Sequence, residues 1–221
     1  MFKLLGTYHE ALLSGLMVTL ELCLLVWLLG IALGTLLGIL GFRFSTSLGL
    51  VSSWLSTLVS AVPILVLLYW LYFPLQQILD VDIDPFWIAV LALSLVNIFM
   101  VSNVVHDAVA QLPEAYHISA IVSGLSHRTF VRRIQAPLIV RQVIGPILSI
   151  QLAMLHSSIF ASLINVDDLF RQIQRINALE YKPIELYSAL AVFFIGISVP
   201  MSLLANRLKK KHSKPWIETA Q

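Results

Sequence analysis

Long apolar runs separated by short polar segments are the main pattern along this chain of 221 residues. The runs exceed twenty residues and do not alternate between apolar and polar positions, which favours membrane-spanning helices over the strands of a barrel. A helix satisfies its own backbone hydrogen bonds in lipid. We expect five spans, at Leu12–Gly41, Leu48–Leu75, Phe86–His106, Ile139–Ile164 and Ile184–Leu208.

The composition supports an all-α integral membrane protein with a single transmembrane domain over residues 1–221. Hydrophobic residues make up 58% of the chain and charged residues 12%, with a mean hydropathy of +0.88. A soluble domain is about half apolar and about a quarter charged. The single cysteine, Cys23, excludes an intrachain disulfide. The first run is too long for a cleavable signal peptide and follows polar Tyr8, His9 and Glu10.

The basic residues predict the orientation of the chain. An odd number of spans places the two termini on opposite sides of the membrane. With the N-terminus outside, ten basic residues lie in cytoplasmic segments, including the tail 207–221, and four lie outside. The positive-inside rule favours this orientation. The cytoplasmic set is Arg43, Arg128, Arg132, Arg133, Arg141, Arg207, Lys209, Lys210, Lys211 and Lys214, and the external set is Lys3, Arg171, Arg175 and Lys182. The net charge of +2 therefore reflects topology, and no nucleic-acid surface is expected.

Small and polar residues inside the spans predict contacts between helices. Gly30, Gly34 and Gly38 share one face of the first helix, where another helix can approach closely. Ser60 ends a stripe of hydroxyl residues before Pro63. This stripe either lines a polar path or bonds neighbouring helices. Prolines are expected to interrupt three spans, as in many transporters, at Pro63, Pro146 and Pro200.

The segment Asp107–Leu138, here called the elbow, predicts two short helices joined by a turn, lying against the membrane on its cytoplasmic side. Pro113 can open the first helix, and Gly124 suits its end. Ser126 can cap a second helix, which we expect Pro137 to close. Its apolar residues Phe130, Val131 and Ile134 lie opposite Arg128, Arg132 and Arg133. We expect the tip of the elbow to dock on a partner, and the alternative is an interfacial amphipathic hairpin.

Polar side chains in the third and fourth spans are candidates for a solute pathway. His156 is an ionisable group at membrane depth, where function is the usual reason for its presence. A hydrogen bond to a neighbouring helix is the alternative for His156, and it is the better explanation for Asn97 and Asn103. The full candidate set is Ser60, Pro63, Asn97, Asn103, His156, Ser157 and Ser158.

No enzymatic or metal site is predicted. The chain lacks the phosphate-binding G-x-x-x-x-G-K-[ST] sequence, and it lacks H-E-x-x-H and G-x-S-x-G. Its six histidines do not have the spacing of metal ligands. We therefore expect no catalytic residue, no metal and no cofactor on this chain.

Several short motifs, taken in order, carry a family resemblance. The run Gly124-x9-Ile134-x-x-Pro137 follows Leu112-Pro113-Glu114 and Ala120 at set distances. Other parts of the pattern are Gly15-Leu16-Met17-Val18-Thr19-Leu20, Pro63-Ile64-Leu65-Val66, Leu91-Ala92-Leu93-Ser94 and Ala161-Ser162-Leu163-Ile164. Together they resemble type I, binding-protein-dependent ABC importer permeases of the polar amino-acid (histidine/glutamine) branch. The resemblance runs from Leu12 to Leu208.

This resemblance implies a permease subunit of the bacterial cytoplasmic (inner) membrane that moves a small polar solute, an amino acid or a related compound. It implies a type I importer fold and three kinds of protein partner: two ATP-binding subunits that hold ATP and magnesium, an extracytoplasmic solute-binding protein and a second permease chain. The elbow resembles the family's coupling helix, which contacts the ATP-binding subunit. The residues carried over are Glu114, Ala120, Gly124, Leu125, Ser126, Ile134 and Pro137.

Most charged signature positions of that family are replaced in this chain. Ser60 stands in place of an arginine and Ile118 in place of a glutamate. Asn103 replaces a glutamate, and His156-Ser157 replaces a lysine–aspartate pair. Two questions therefore stay open. The second permease chain is either a different protein that retains the charges or a second copy. The alternative function is a membrane scaffold or regulatory subunit that keeps the fold without transporting.

Overall fold

The computed structural model describes residues 6–43, 58–59 and 61–212, with side chains as far as residue 210. The described residues form helices and connecting turns, without a strand among them. The helices are α1 (His9–Arg43), α2 (Ile64–Tyr72), α3 (Pro74–Leu79), α4 (Pro85–Ala110), α5 (Glu114–Val122), α6 (His127–Phe130), α7 (Ala136–Ser157), α8 (Leu169–Glu180) and α9 (Pro183–His212). A π-helical turn, Val131–Gln135, joins α6 to α7, and a 3₁₀ segment, Ser158–Ile164, follows α7.

Four helical segments in the described ranges are long and apolar enough to cross a membrane: His9–Arg43, Pro85–Ala110, His127–Ile164 and Pro183–Lys210. They confirm the first, third, fourth and fifth predicted spans; the ends agree within a few residues, except that the fourth segment begins at His127 instead of Ile139. The predicted second span, Leu48–Leu75, is described only in its last part, where Phe73 separates α2 from α3. Ser60 lies outside the described residues.

The expectation that Pro137 closes the second elbow helix is wrong. The helix runs for 38 residues, from His127 through the π turn to Ile164. In the π turn the bonds widen to i→i+5, and the Ala136 N–H donates to the Val131 carbonyl. The wider turn accommodates a residue that lacks an N–H and whose ring would clash in a regular helix. Pro146 and Pro200 also lie inside helices without ending them, so the predicted interruptions at both positions are wrong.

The glycine face of α1 packs against α4, which runs parallel to it. A Cβ added to Gly34 would lie 2.7 Å from the Ile98 carbonyl oxygen, and one added to Gly38 would lie 2.6 Å from that of Ser102. Side chains are therefore excluded from this seam, and the two backbones meet directly. The predicted close approach of a second helix is confirmed.

α8 was not predicted, although the sequence carries its signals. The Asp168 side chain caps its first turn by accepting from the Arg171 N–H at 2.8 Å. Leu169, Ile173 and Ile176 follow at helical spacing and are buried against α9. A capping aspartate before such a pattern is a recognised start of a helix. The stretch is short and polar overall, so it does not have the pattern of a membrane span.

Candidate functional site

The first arm of the elbow is helix α5, and it ends in a turn that Gly124 stabilises. Gly124 has φ of +69° and donates its N–H to the Ile121 carbonyl at 3.0 Å. The Leu125 N–H donates to the Ala120 carbonyl, also at 3.0 Å. This pair of bonds is the Schellman arrangement, which satisfies carbonyls left open at a helix end and favours glycine at the left-handed position. The predicted helix stop at Gly124 is confirmed.

The second arm of the elbow consists of α6 and the π turn that follows it. It is capped by Ser126 and packs onto the first arm. The Ser126 hydroxyl accepts from the Thr129 N–H at 3.3 Å, which confirms the predicted cap. The rings of His117 and Phe130 meet edge to face, with centroids 5.5 Å apart. Phe130 and Ala120 are both buried, whereas the arginines of the second arm are exposed. The two arms therefore hold a fixed angle.

The outer surface of the elbow is apolar and uncovered. The exposed fractions are 54% for Ile118, 65% for Ile121, 83% for Val122 and 39% for Leu125. Adjacent exposed apolar side chains of this kind mark a contact surface. Of this group, sequence analysis named only Leu125 as a contact residue. The others could have been identified as the apolar residues of α5 that stay exposed when Ala120 occupies its buried face.

The remaining predicted coupling residues are spread along the elbow. Glu114 begins α5 and is exposed, on the arm that leads to the tip. Ile134 lies in the π turn, and Pro137 lies in the first turn of α7. Ile134 is eight residues, or about 12 Å of helix, beyond Ser126. The structure thus gathers Ala120, Gly124, Leu125 and Ser126 at the tip and leaves the other three on the arms.

The helix that begins in the elbow is longer than the apolar layer of a membrane is thick. Thirty-eight helical residues span about 57 Å, whereas the hydrocarbon core is about 30 Å thick. The apolar part of this helix lies toward Ile164, and the arginines lie toward His127. The tip therefore lies at the end of this helix that carries the arginines, away from its apolar part.

Asn97 joins three helices at the centre of the molecule. Its amide nitrogen donates to the Val26 carbonyl and to the Gln151 side chain, both at 2.9 Å. The Gln151 backbone carbonyl in turn accepts from the Trp27 indole at 3.1 Å. Asn97 is fully buried. Its amide therefore forms hydrogen bonds between helices, which was the favoured explanation for this residue.

His156 faces α9. One ring nitrogen lies 2.8 Å from the Ser198 hydroxyl, and the ring lies 6.3 Å from that of Phe194. The histidine is nevertheless exposed in this chain. Gln151 is five residues earlier on α7, about 140° around the helix, so His156 and the Asn97 group point in different directions.

The other candidate pathway residues that the structure describes lie at separate places on the helices. Asn103 is exposed on α4, about 120° around that helix from Asn97. Pro63 is exposed at the start of α2, and Ser157 is half-buried. Ser158 is buried and donates to the Leu155 carbonyl at 2.8 Å.

An open acidic cleft of about 400 Å³ lies at the end of the molecule opposite the elbow. It is lined by Val18, Glu21, Asp84, Pro85, Phe86, Trp87, Asn165, Val166 and Asp167. Two of its carboxylates are occupied, because Asp84 accepts from the Phe86 N–H and Asp167 pairs with Arg175 at 2.7 Å. In the described part of the chain, no group of three metal-binding side chains occurs.

The start of α8 docks on α1 beside this cleft. The Leu169 N–H donates to the Thr19 hydroxyl at 3.0 Å. A Cβ on Gly15 would lie 2.9 Å from the Asp168 carbonyl oxygen, so the two backbones nearly touch. Burial raises the pKa of Asp168 to about 7, and the N–H of Arg171 offsets only part of this effect. A buried carboxyl thus titrates near neutrality at this contact.

Sequence comparisons extend over nearly the whole chain. The sequence model of the family described as binding-protein-dependent transport system inner membrane component matches residues 30–214. The glutamine transport system permease protein GlnP of Escherichia coli (strain K12) is 26% identical over 201 residues, covering 90% of this chain and 92% of its own. The arginine transport system permease protein ArtQ of Bacillus subtilis (strain 168) is 23% identical, covering 88% of this chain and 93% of its own.

Two solved structures have the same fold. A crystal structure described as an amino acid ABC transporter with histidines superposes with a TM-score of 0.83 at 23% identity, covering 94% of this chain and 96% of its own. An inward-facing structure of the MetNI methionine ABC transporter gives a TM-score of 0.76 at 14% identity, with 94% and 99% covered. The predicted type I importer permease fold is confirmed.

Proposed function

Because the chain belongs to the family of binding-protein-dependent transport system inner membrane components, we propose that it forms half of the membrane channel of an ATP-driven importer for an amino acid or a related small polar solute. Membership makes it a multi-pass membrane subunit of a transport system. The names of the relatives, which include glutamine and arginine permeases, support the solute class.

The elbow is the proposed contact with the ATP-binding subunit. The observation that carries this proposal is the exposed apolar tip around Val122 and Leu125, held at a fixed angle by Gly124 and by the contact of His117 with Phe130. A coupling element must be rigid to transmit movement. It must also bury its surface differently in the two nucleotide states, because only differential affinity shifts a conformational equilibrium.

The proposed orientation has the N-terminus outside and the elbow in the cytoplasm. The excess of basic residues near the elbow supports it. Two ATP-binding subunits, which carry ATP and magnesium, would then meet the two elbows of a permease pair. A solute-binding protein would approach the opposite end, where the acidic cleft lies.

The proposed solute path runs between this chain and a second permease chain. His156, Ser157 and Asn103 have exposed or half-buried side chains at membrane depth, which supports a place on such a path. Ser60 and Pro63 remain part of the proposal. Asn97 and Ser158 hold hydrogen bonds inside the chain, and we assign them a supporting role beside the path.

The test is a pair of variants in the complex reconstituted with its ATP-binding subunit and its solute-binding protein. Val122→Asp places a charge on the proposed docking surface, where Val122 is 83% exposed. Leu179→Asp places the same charge on α8 at the other end, where Leu179 is 72% exposed. We expect Val122→Asp to lose copurification of the ATP-binding subunit and solute uptake, and Leu179→Asp to retain copurification of the ATP-binding subunit.

Three outcomes separate the alternatives. Normal uptake by Val122→Asp would overturn the docking proposal. Solute-stimulated ATP hydrolysis by the wild-type complex would exclude a non-transporting scaffold. A stable wild-type complex that hydrolyses ATP without any response to loaded binding protein would favour the scaffold and overturn the transport proposal.

A further inference from the structure

The stem of Lys209 lies along α7 because residue 145 is a glycine. A Cβ on Gly145 would lie 2.7 Å from Cγ of Lys209 and 3.1 Å from the Ala205 carbonyl oxygen. Gly145 is buried, whereas Lys209 is exposed at its outer part. The lysine therefore covers the seam between α7 and α9 with its carbon chain and carries its ammonium group beyond Gly145.

The helix register places Arg141 at the same level. α7 and α9 are antiparallel, since His156 meets Ser198 and Gly145 meets both Ala205 and Lys209. Moving one turn from Gly145 toward the elbow brings Arg141 to the same face of α7. One turn toward the elbow on α9 leads from Ala205 to Lys209. The register thus places two cationic residues, one on each helix, about one turn apart at the same end of the seam.

These two cations lie where the helices leave the apolar layer. Arg141 to Ile164 spans about 36 Å and Pro183 to Lys209 about 40 Å, slightly more than a hydrocarbon core of about 30 Å. Arg141 is also about 22 Å of helix from Ser126. The pair therefore sits at the level of lipid headgroups, well below the elbow tip.

Neither cation has an acidic partner within the described residues. The ion pairs found there join His106 to Asp107 and Arg175 to Asp167. A guanidinium binds a phosphate through two parallel hydrogen bonds, and an ammonium adds a point charge. Basic pockets between spanning helices are suited to anionic headgroups.

We propose that Arg141 and Lys209 form a binding site for the phosphate of an anionic phospholipid, with phosphatidylglycerol as the probe, in the leaflet at the elbow end. Charge complementarity and membrane level select this occupant. The site stands apart from the docking of the ATP-binding subunit, so either proposal can fail without the other.

The experiment is native mass spectrometry of the full-length chain in detergent, titrated with phosphatidylglycerol or with neutral phosphatidylcholine. We expect tighter binding of phosphatidylglycerol, and a loss of about fivefold for each cation removed in Arg141→Gln and Lys209→Gln. The control pair Arg128→Gln and Arg132→Gln removes the same charge from the exposed arm of the elbow and should leave binding unchanged. Gly145→Ala removes no charge but displaces the Lys209 stem. It should therefore weaken the binding of phosphatidylglycerol and leave the binding of phosphatidylcholine unchanged.

Several results would overturn the site. Wild-type affinity in the Arg141→Gln/Lys209→Gln double variant would exclude it, as would an equal loss in the control pair. If inorganic phosphate at matched concentration displaced the lipid completely, a small anion would be the ligand. If the double variant kept its lipid but lost the ATP-binding subunit, the pair would belong to a protein interface.

Discussion

The side-chain amides of Asn97 and Gln151 exchange two hydrogen bonds across the contact between α4 and α7, at 2.9 and 3.2 Å. The residues are 54 positions apart, and both are buried. The amide nitrogen of Asn97 also reaches the Val26 carbonyl on α1. One pair of amides therefore connects three of the four long apolar helices.

This pair should show direct energetic coupling. Asn97→Leu leaves the Gln151 amide buried without its partner, which costs about 1–3 kcal/mol. Gln151→Leu should therefore destabilise the Asn97→Leu variant less than it destabilises the wild type, because it removes the unpaired Gln151 amide. A double-mutant cycle on the free energy of unfolding in micelles should give a coupling of roughly 0.6–2 kcal/mol. Strictly additive losses would contradict the observed bonds.

Gly30→Ala should destabilise the protein, whereas the same change at Gly196 should not. A Cβ at Gly30 would collide with the Asn97 side chain, while nothing lies within 4 Å of one at Gly196. Overpacking of this kind costs about 1–3 kcal/mol, and alanine in an open helix position gains up to about 1 kcal/mol. Thermal unfolding midpoints should therefore move in opposite directions. Equal shifts would mean that the contact between α1 and α4 has room for a side chain at position 30.

Stability should fall as pH rises toward neutrality because of Asp168. Its pKa of about 7 in the folded chain lies above the ordinary value of 3.8. Between these two values the folded state holds a proton that the unfolded state releases. The free energy of unfolding therefore decreases across this window and levels off above about pH 7. The total change is at most about 4 kcal/mol.

Asp168→Asn isolates this effect. The asparagine oxygen can still accept from the Arg171 N–H, so the helix cap survives while the titration disappears. We expect the variant to be more stable than the wild type at pH 8 and to have a flatter pH profile between pH 5 and 7. Asp82→Asn, on an exposed turn, is the matched control. An unchanged slope in Asp168→Asn would assign the pH dependence to another group.

Gly124→Ala should loosen the elbow while leaving the membrane part intact. Alanine at φ of +69° costs about 1–2 kcal/mol. Asparagine tolerates this conformation better, so Gly124→Asn should lose less. Limited proteolysis should cut Gly124→Ala fastest within the elbow, followed by Gly124→Asn and then the wild type. Equal cleavage rates would show that the turn does not depend on glycine.

Local signals in the sequence predicted much of this structure. Gly124 and Ser126 were assigned correctly because a helix end and a helix cap depend on a few neighbouring backbone groups. The spacing of Gly30 and Gly34 likewise predicted a face for close contact, since a smooth helix surface is a local property. The family resemblance gave the fold, which the superposition with known permeases confirms.

The features that could not be predicted depend on contacts between distant residues or on the geometry of several turns together. Pro137 would end a regular helix, and only the π turn before it lets the helix continue. The partner of Asn97 could not be known without the packing of α4 on α7. Helix α8 is a different case, because its capping aspartate and apolar spacing are visible in the sequence and only its docking against Thr19, 150 residues away, is not. Such contacts leave no pattern within a window of one helix.

The continuous helical segment from His127 to Ile164 can act as a lever. Its part outside the apolar layer, to Ile139, is about 18 Å long, and the part inside is about 38 Å long. With the membrane surface as fulcrum, a tilt imposed on the short arm displaces the far end about twice as much. Under the proposed coupling, a small displacement of the elbow would therefore give a displacement about twice as large at the other end of this helix, next to the acidic cleft.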